Sequence, residues 1–437
     1  MTEKQREISS EELQKHKTPD SLWISIQGKI YDVTEWRKTH PGGDTPLLNL
    51  SGQDVTDAFV AFHPGSAWKH LDQFHIGYLK DYTVSEVSKD YRKLLTQFTK
   101  AGLFEKKGHY ILISLLCLSA MMITSVSGVL LSNKPWAHFC SAVILGLLWM
   151  QIGFVGHDSG HYNIMMNPKL NRFMQIFTGN CVTGISIGWW KWTHSAHHIA
   201  VNSLDFDPDL QHIPFLAVSP DIFKSLKSVF YGREMTFDGA ARFLVSFQHW
   251  TINLFAQSWI LLLSKRPMQN RALELAGLGV FWVWYSLLIS CLPNWGERVM
   301  FVAVSFAVSG IQHVQFCLNH FSADTYIGPP LANDWFAKQT RGSIDISCST
   351  WMDWFHGGLQ FQVEHHLFPR LPRCHLRTIS PFVQELCRKH KLPYTSVSFF
   401  EANKMTISTL KAAALQARDL SKPMPKNLLW EAVNTHG

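Results

Sequence analysis

Four long apolar segments dominate the pattern of hydrophobic and polar positions along the chain. Each has about the 20 residues that a helix needs to cross the hydrocarbon core of a bilayer. The segments predicted to span a membrane are Tyr110–Leu131, Trp136–Val155, Ala272–Leu292 and Val299–Leu318. Two further apolar stretches, Phe247–Leu263 and Phe173–Trp190, are shorter or interrupted by polar residues and glycines. We expect both stretches to lie in the membrane interface.

The segment before these spans is polar and has the pattern of a small α+β domain. Ser9 to Glu12 fits a capping box at the start of a helix. Two strand-like runs, Leu22–Ile26 and Lys29–Val33, flank a hairpin turn at Gln27-Gly28. The residues Gln53–Phe62 are predicted to form a further helix.

An amphipathic stretch, Ser85–Phe104, joins this region to the first span. Its polar and apolar faces predict a linker helix that lies against the membrane. These patterns divide the chain into an N-terminal domain over residues 8–82, a linker over 83–108 and a membrane domain over 109–437. The predicted membrane domain is all-α, with about four transmembrane helices.

The composition agrees with a membrane protein of a reduced compartment. Apolar residues make up 46% of the chain and charged residues only 17%, which is low for a soluble protein. The formal net charge of +7 suits an anionic membrane face, whereas the scattered Lys and Arg residues give no pattern for nucleic acid. The 8 cysteines form no CxxC pair. Because the N-terminus lacks the apolar stretch of a secretory signal, we expect the first domain to stay in the cytosol.

Three short histidine clusters lie beside the apolar segments. Histidines three or four residues apart lie on one face of a helix, so the pairs within a cluster can point at one metal. Neutral imidazole is a common ligand of zinc, copper and iron. The clusters are His157-Asp158-Ser159-Gly160-His161, His194-Ser195-Ala196-His197-His198 and Gln362-Val363-Glu364-His365-His366.

Membrane topology limits how these clusters can meet. With four spans, and with Phe247–Leu263 in the interface, all three clusters lie on the face from which the chain enters the membrane. A fifth crossing would place the third cluster on the opposite face. It would also put Lys265, Arg266 and Arg271 in the lumen, against the positive-inside tendency. We therefore predict four spans and cytosolic histidine clusters.

A separate pair of imidazoles lies in the N-terminal domain. His40-Pro41-Gly42-Gly43 places one imidazole at a tight turn, and His63 follows the predicted helix. Two facing imidazoles would suit a haem with both axial positions filled, or both could be ordinary loop histidines. Together with Tyr31-Asp32-Val33, Asp57-Ala58-Phe59 and Gly77-Tyr78-Leu79, this region resembles cytochrome b5. The resemblance implies a b-type haem with His40 and His63 as its axial ligands.

The three clusters resemble the histidine boxes of membrane fatty-acyl and sphingolipid desaturases. The N-terminal cytochrome b5-like domain and Gln362 at the start of the third box resemble the front-end subgroup. The clusters offer more ligands than the three or four that one zinc ion takes, and zinc could not use electrons from a haem. The resemblance therefore implies two non-haem irons that activate O2. The implied site residues are His157, His161, His194, His197, His198, His320, Gln362, His365 and His366.

Several nearby residues are assigned weaker roles. Asp158 and Glu364 either accept imidazole N–H bonds or are ordinary structural carboxylates. Trp189-Trp190-Lys191-Trp192 is predicted to be an interfacial aromatic belt rather than part of a substrate site. The remaining histidines of interest are predicted to be structural or interfacial; they are His212, His249, His313 and His356.

The resemblance is strongest to the plant Δ8 sphingolipid long-chain-base desaturases, and Δ6 acyl desaturases are close. The Δ8 group implies a lipid substrate, either a long-chain base or ceramide or an acyl lipid, and electrons from NADH through cytochrome b5 reductase. It also implies a multi-pass endoplasmic reticulum protein. A lipid hydroxylase is a rival interpretation. So is an inactive haem protein, because a segment usual in the family is missing between Thr251 and Ile252. Whether the chain forms a homo-oligomer is left open.

Overall fold

The computed structural model describes residues 6–106, 109–165, 167–213, 215–224, 226–246 and 270–419. The interfacial stretch predicted at Phe247–Leu263, His249 within it, and the missing segment between Thr251 and Ile252 lie outside these residues.

The N-terminal domain is built on a five-stranded sheet whose strand order is β1-β5-β4-β3-β2. Gln27 and Gly28 join β3 to β4 with φ of 51° and 77°. A two-residue turn with positive φ at both positions matches the twist of a hairpin, so the predicted turn is confirmed. The strands are β1 Glu7–Ile8, β2 Lys17–Thr18, β3 Ser21–Ile26, β4 Lys29–Asp32 and β5 His75–Leu79.

Three short helices complete this domain: Ser10–Lys15, Thr45–Leu50 and Thr56–Phe62. The predicted capping box is confirmed, because the Glu12 N–H donates to Ser9 Oγ at 3.2 Å. The predicted helix from Gln53 begins only at Thr56. The residues before it are extended, since Ser25 of β3 donates to the Gln53 carbonyl at 3.0 Å and accepts from the Val55 N–H at 2.8 Å.

The linker helix Glu86–Lys100 is present, but its apolar face packs on protein and not on the membrane. Tyr91, Leu94 and Phe98 are buried in a core that includes residues of both domains. The Phe98 ring lies 5.3 Å from that of Phe368, centre to centre. The predicted membrane contact is therefore wrong. An amphipathic pattern shows that a face is buried, but it does not show what covers that face.

Within the described residues, four helices are long and apolar enough to cross a membrane, as predicted. We name them the first to fourth spans: Ile111–Leu131, Pro135–Gly160, Arg271–Ser290 and Trp295–His320. The second span is central, because 61% of its apolar window is buried, against 17% for the first. A Cβ on Gly146 would lie 2.6 Å from the Ser305 carbonyl oxygen. Glycine there lets the second span approach the fourth closely.

Shorter elements surround the end of the spans that faces the N-terminal domain. The apolar stretch Phe173–Trp190 does not form one helix; a π-helix, Ile176–Thr183, interrupts it. Two small sheets pair Lys227–Ser228 with Arg233–Glu234, and Asp345–Ser347 with Ser396–Ser398. The remaining α-helices are Pro168–Gln175, Ile187–Ile199, Gly239–Val245, Trp335–Arg341, Asp353–His356, Gln362–Leu367, Leu376–His390 and Phe399–Asp419.

Candidate haem and metal sites

The two histidines predicted to hold haem face each other in the N-terminal domain. His40 follows a turn and His63 caps the helix Thr56–Phe62. Each ring is oriented through Nδ1, which contacts the Gly43 carbonyl at 2.7 Å for His40 and the Phe59 carbonyl at 3.1 Å for His63. The Nε2 atoms are therefore the ones left for a metal.

The separation of these rings fits one metal between them. Their centres lie 6.0 Å apart. Two metal–nitrogen bonds of about 2 Å each, plus the distance from each nitrogen to its ring centre, come to about the same length. Burial lowers the pKa of His40 and lowers that of His63 to about 4. Both rings are thus neutral near pH 7, as metal ligands must be.

The histidines of the three clusters meet at one end of the spans. The second span ends at His157 and His161, and the fourth span ends at His320. His194, His197 and His198 occupy the last two turns of the helix Ile187–Ile199. Because consecutive turns present residues three and four apart on one face, each helix contributes several rings. The short helix Gln362–Leu367 contributes Gln362, His365 and His366. We call this assembly of nine side chains the cage.

Seven histidines of the cage form two groups. Within each group, one ligand nitrogen per residue lies within 4.8 Å of the others. His198 lies between the groups, with its ring centre 4.8 Å from those of His161 and His365 and 4.2 Å from that of His366. The first group is His157, His161, His194 and His365, and the second is His197, His320 and His366.

The nitrogen positions suit metal coordination. The Nε2 atoms of His161 and His194 lie 3.0 Å apart, as do those of His194 and His198. Two nitrogens bound to one metal at about 2 Å each lie about this far apart. The buried Nε2 atoms of four cage histidines have no hydrogen-bond partner among the described residues, which is costly unless a ligand is present. These are His157, His197, His365 and His366.

Gln362 lies beside the second group. Its Nε2 contacts His320 Nε2 at 3.0 Å, while its buried Oε1 has no hydrogen-bond partner among the described residues. An amide oxygen can bind a metal directly, or the amide can hold His320. The geometry supports either role.

Burial keeps most of the cage imidazoles neutral. It lowers the pKa of His161, His194, His198, His365 and His366 well below the usual range. His197 is the exception. Burial acts in the same direction on it, but the carboxylates of Asp207 and Asp209 outweigh burial and raise its pKa.

Each imidazole of the second group is oriented by a hydrogen-bond contact of its Nδ1 atom. His197 Nδ1 contacts Asp207 Oδ2 at 2.8 Å, His320 Nδ1 contacts the Gly342 carbonyl at 2.9 Å, and His366 Nδ1 contacts Gln339 Oε1 at 2.8 Å. Such partners fix the tautomer and the direction of a metal-binding imidazole. Sequence reasoning missed Asp207 and Gln339. The aspartates that follow the second cluster in Asp205-Phe206-Asp207-Pro208-Asp209 were the available signal.

The two carboxylates inside the clusters have different partners. Asp158 lies 2.8 Å from Arg373 Nε and 3.4 Å from His157 Nδ1, so it is placed to orient that imidazole. Glu364 contacts the Tyr394 hydroxyl at 2.8 Å and contacts no imidazole of the described residues. Burial raises the pKa of Glu364. Its role is structural, because the same hydroxyl also contacts Asp345, which accepts from the Val363 N–H.

An apolar cavity of about 290 Å³ opens beside the cage, with His157 and His194 in its wall. Trp189 and Trp190 also line it, and the Trp190 ring stacks on His194 at 4.3 Å. The prediction of a purely interfacial aromatic belt is therefore wrong for these two residues. Their positions on the helix Ile187–Ile199 direct both tryptophans toward the cavity beside His194. His212 and His313, predicted to be structural, line the cavity as well. His356 is buried against Phe399, as a structural histidine would be.

A haem-type pocket joined to a histidine cage at the end of four membrane spans defines a membrane oxidoreductase that acts beside an apolar cavity. The chain matches the family described as fatty acid desaturase over residues 134–398. It matches the cytochrome b5-like haem/steroid binding domain over residues 9–80. The chain belongs to the fatty acid desaturase family, with a fused cytochrome b5-like domain.

Individual similar proteins extend the comparison. A Delta(8)-fatty-acid desaturase 2 of Arabidopsis thaliana is 62% identical over 99% of this chain and 99% of its own length. An acyl-lipid (9-3)-desaturase of Borago officinalis is 60% identical over 98% of both chains. A Delta 8-(E)-sphingolipid desaturase of Emericella nidulans is 38% identical, over 64% of this chain and 55% of its own. The predicted desaturase class and fold are confirmed.

Proposed function

We propose that this chain is an oxygen-dependent desaturase that introduces a Δ8 double bond into sphingolipid long-chain bases. The observation that carries the proposal is the histidine cage in the wall of an apolar cavity. A lipid tail has no polar group near C8, so its position must be set by the walls of a cavity and by an anchored headgroup. Holding one C–C segment against a reactive centre makes a strong oxidant selective.

The relatives support Δ8 chemistry more firmly than they support a substrate class. The name of the Arabidopsis relative says Δ8 and fatty acid, and that of the Emericella relative says Δ8 and sphingolipid. The Borago relative, named as an acyl-lipid desaturase, is almost as similar. Δ6 desaturation of an acyl lipid is therefore the runner-up. Three segments that resemble the sphingolipid group favour the long-chain base: Ser203–Asp205, Ile311–Phe321 and Phe368–Arg377.

Two separate sets of side chains would bind two different cofactors. His40 and His63 would hold a b-type haem, and the eight cage histidines would hold two irons, with Gln362 either binding a metal or holding His320. Bound iron would supply the activation of O2 that removal of hydrogen from an unactivated C–H bond requires. Asp207, Gln339 and the Gly342 carbonyl keep three of the imidazoles in one orientation. The cavity excludes water, which protects a reactive intermediate from side reactions.

In the balanced reaction, the lipid loses one hydrogen from each of two neighbouring carbons. These two hydrogens, two electrons and two protons combine with one O2 to give two waters. We propose that the electrons come from NADH through a cytochrome b5 reductase and enter at the N-terminal domain.

We further propose that the chain resides in the endoplasmic reticulum membrane. The N-terminal domain and the cage lie at the same end of the four spans, as an even number of crossings requires. We infer that this end faces the cytosol, because Lys265, Arg266 and Arg271 then follow the positive-inside tendency.

The test is expression in a host that lacks Δ8-unsaturated long-chain bases, followed by analysis of both sphingoid bases and fatty acids. We expect new Δ8 bases, and none from a His197→Ala control that retains its haem. A Δ6 acyl product without Δ8 bases would establish the runner-up. New hydroxyl groups would establish a lipid hydroxylase, and no new product would establish an inactive variant.

A further inference from the structure

One aromatic side chain lies between the candidate haem ligand and the cage. Phe62 is the residue before His63, and its ring centre lies 5.8 Å from that of His198, with the two planes at 89°. We propose that Phe62 is the contact through which electrons pass from the N-terminal domain to the cage. This inference rests on the proposed function, because it assumes that both sites are occupied and work in series.

On the haem side, the geometry is fixed by the end of a helix. His63 caps the helix Thr56–Phe62, and its ring stacks on Phe59 at 4.4 Å while Nδ1 contacts the Phe59 carbonyl. These contacts leave Nε2 directed toward His40. Phe62 and His63 are joined by one peptide unit, so their side chains leave the chain at adjacent positions. The first part of the path from haem toward the cage is therefore covalent.

On the cage side, Phe62 meets the histidine that contacts both groups. His198 stacks on His366 of the second group and lies 4.8 Å from His161 and His365 of the first. An electron that reaches His198 can therefore pass to either group of the cage. Trp335 supports the ring of Phe62 from another side, at 6.0 Å and 76°.

Hydrogen bonds between the two domains keep Phe62 in position against His198. Gln53 donates to the Pro330 carbonyl at 3.1 Å and accepts from the Ala332 N–H at 2.9 Å. Arg370, three residues after the end of the helix Gln362–Leu367, donates to the Ala61 carbonyl at 3.1 Å. Gln53 precedes the helix that carries Phe62, and Ala61 lies in its last turn, so the domain is held at both ends of this helix.

The inferred step is a single-electron transfer in which no bond forms or breaks. With haem held by His40 and His63 and iron held by the cage, the ferrous haem would lose one electron and one ferric iron of the cage would gain it. Electron tunnelling weakens exponentially with the width of a gap and is carried better by contacting atoms than by empty space. A ring that fills the gap at van der Waals distance therefore raises the rate, and a shorter side chain lowers it.

The experiment uses the full-length protein loaded with haem and iron. Phe62→Leu removes the ring, and Phe62→Tyr retains it. The matched control is Phe74→Leu, because Phe74 is also a half-buried phenylalanine of the N-terminal domain but packs on Trp36. After anaerobic reduction, mixing with oxygen and substrate reports haem reoxidation by stopped-flow absorbance. Haem midpoint potential and thermal unfolding of the metal-free, haem-free chain are measured alongside.

We expect Phe62→Leu to slow haem reoxidation roughly tenfold or more, while Phe62→Tyr and Phe74→Leu stay near the rate of the unaltered chain. The haem potential, the Michaelis constant for the lipid and the unfolding temperature should match those of Phe74→Leu. Equal rates for Phe62→Leu and Phe74→Leu would overturn the inference. A shifted haem potential that accounts for the slower rate would also overturn it. If the unaltered chain makes no unsaturated product, the proposed function fails instead.

Discussion

Asp207 shows how a single buried carboxylate can prepare a metal ligand. Both Asp207 and His197 are fully buried, and their 2.8 Å contact sets which imidazole nitrogen faces the cage. Asp209 lies farther from the same nitrogen, at 3.7 Å, and is partly exposed. Of the two aspartates, the closer one, Asp207, therefore determines the orientation of His197.

We expect Asp207→Asn to weaken iron binding by about ten- to a hundredfold, which is usual for loss of such a partner. The unaltered chain should contain two irons per haem beyond the haem iron itself. Elemental analysis after dialysis against a graded iron chelator measures the loss. Asp209→Asn is the control and should lose much less iron. Stoichiometric zinc in active enzyme, or full iron retention in Asp207→Asn, would contradict this account of the cage.

The haem ligands make a separate prediction at the residue scale. His40→Ala or His63→Ala should abolish the spectrum of a haem with two axial imidazoles, because each ring supplies one axial nitrogen. The absorption spectrum of the reduced protein measures this change. His70→Ala is the control, because His70 is an exposed histidine of the same domain and should leave the spectrum unchanged. An unaltered spectrum in either ligand variant removes that residue from the haem site.

At the scale of elements, the linker helix Glu86–Lys100 connects the two domains more firmly than a tether would. Ser88 and Arg92 contact Asp57 of the N-terminal domain. Tyr91 donates to the Leu367 carbonyl of the third cluster's helix at 2.7 Å. The helix therefore fixes the N-terminal domain against the cage. A flexible tether would only keep that domain near the cage.

Phe98→Ala should destabilise this junction by about 3–5 kcal/mol, the usual cost of removing a buried phenylalanine. Thermal unfolding of the full chain measures the loss, and Gln97→Ala on the exposed face of the helix is the control. If the helix instead lay on lipid, Phe98→Ala would weaken membrane association with little change in unfolding temperature.

The linker helix also shows which part of the fold could not be predicted from the sequence. The four spans, the β3–β4 hairpin and the pairing of histidines within each cluster followed from local patterns, since length, turn chemistry and helical spacing are properties of short segments. The full set of nine cage residues, with His320 among them, came from the resemblance to the desaturases. The surface that covers Tyr91 and Phe98 could not be predicted. It includes Phe368, some 270 residues farther along the chain, and no local pattern encodes such a pairing. The same reason explains why Gln339 was missed behind His366.

At the scale of the whole molecule, one arrangement unites the two domains. The spans bring His157, His161 and His320 to one end of the bundle. The N-terminal domain is fixed against that end, with Phe62 touching His198. The apolar cavity reaches the same cage from between the second and fourth spans. Under the proposed function, electrons and lipid would therefore approach the cage from different directions.

The measurement that tests the central claim most directly is deuterium retention in a long-chain base labelled with two deuterium atoms on C8 and two on C9. Membranes from a host expressing the chain are supplied with this base, NADH and oxygen, and the product is analysed by mass spectrometry. The account predicts a product that keeps one deuterium on each labelled carbon and gains no oxygen. A product that keeps three deuterium atoms and gains one oxygen, or unsaturation that leaves all four in place, would contradict it.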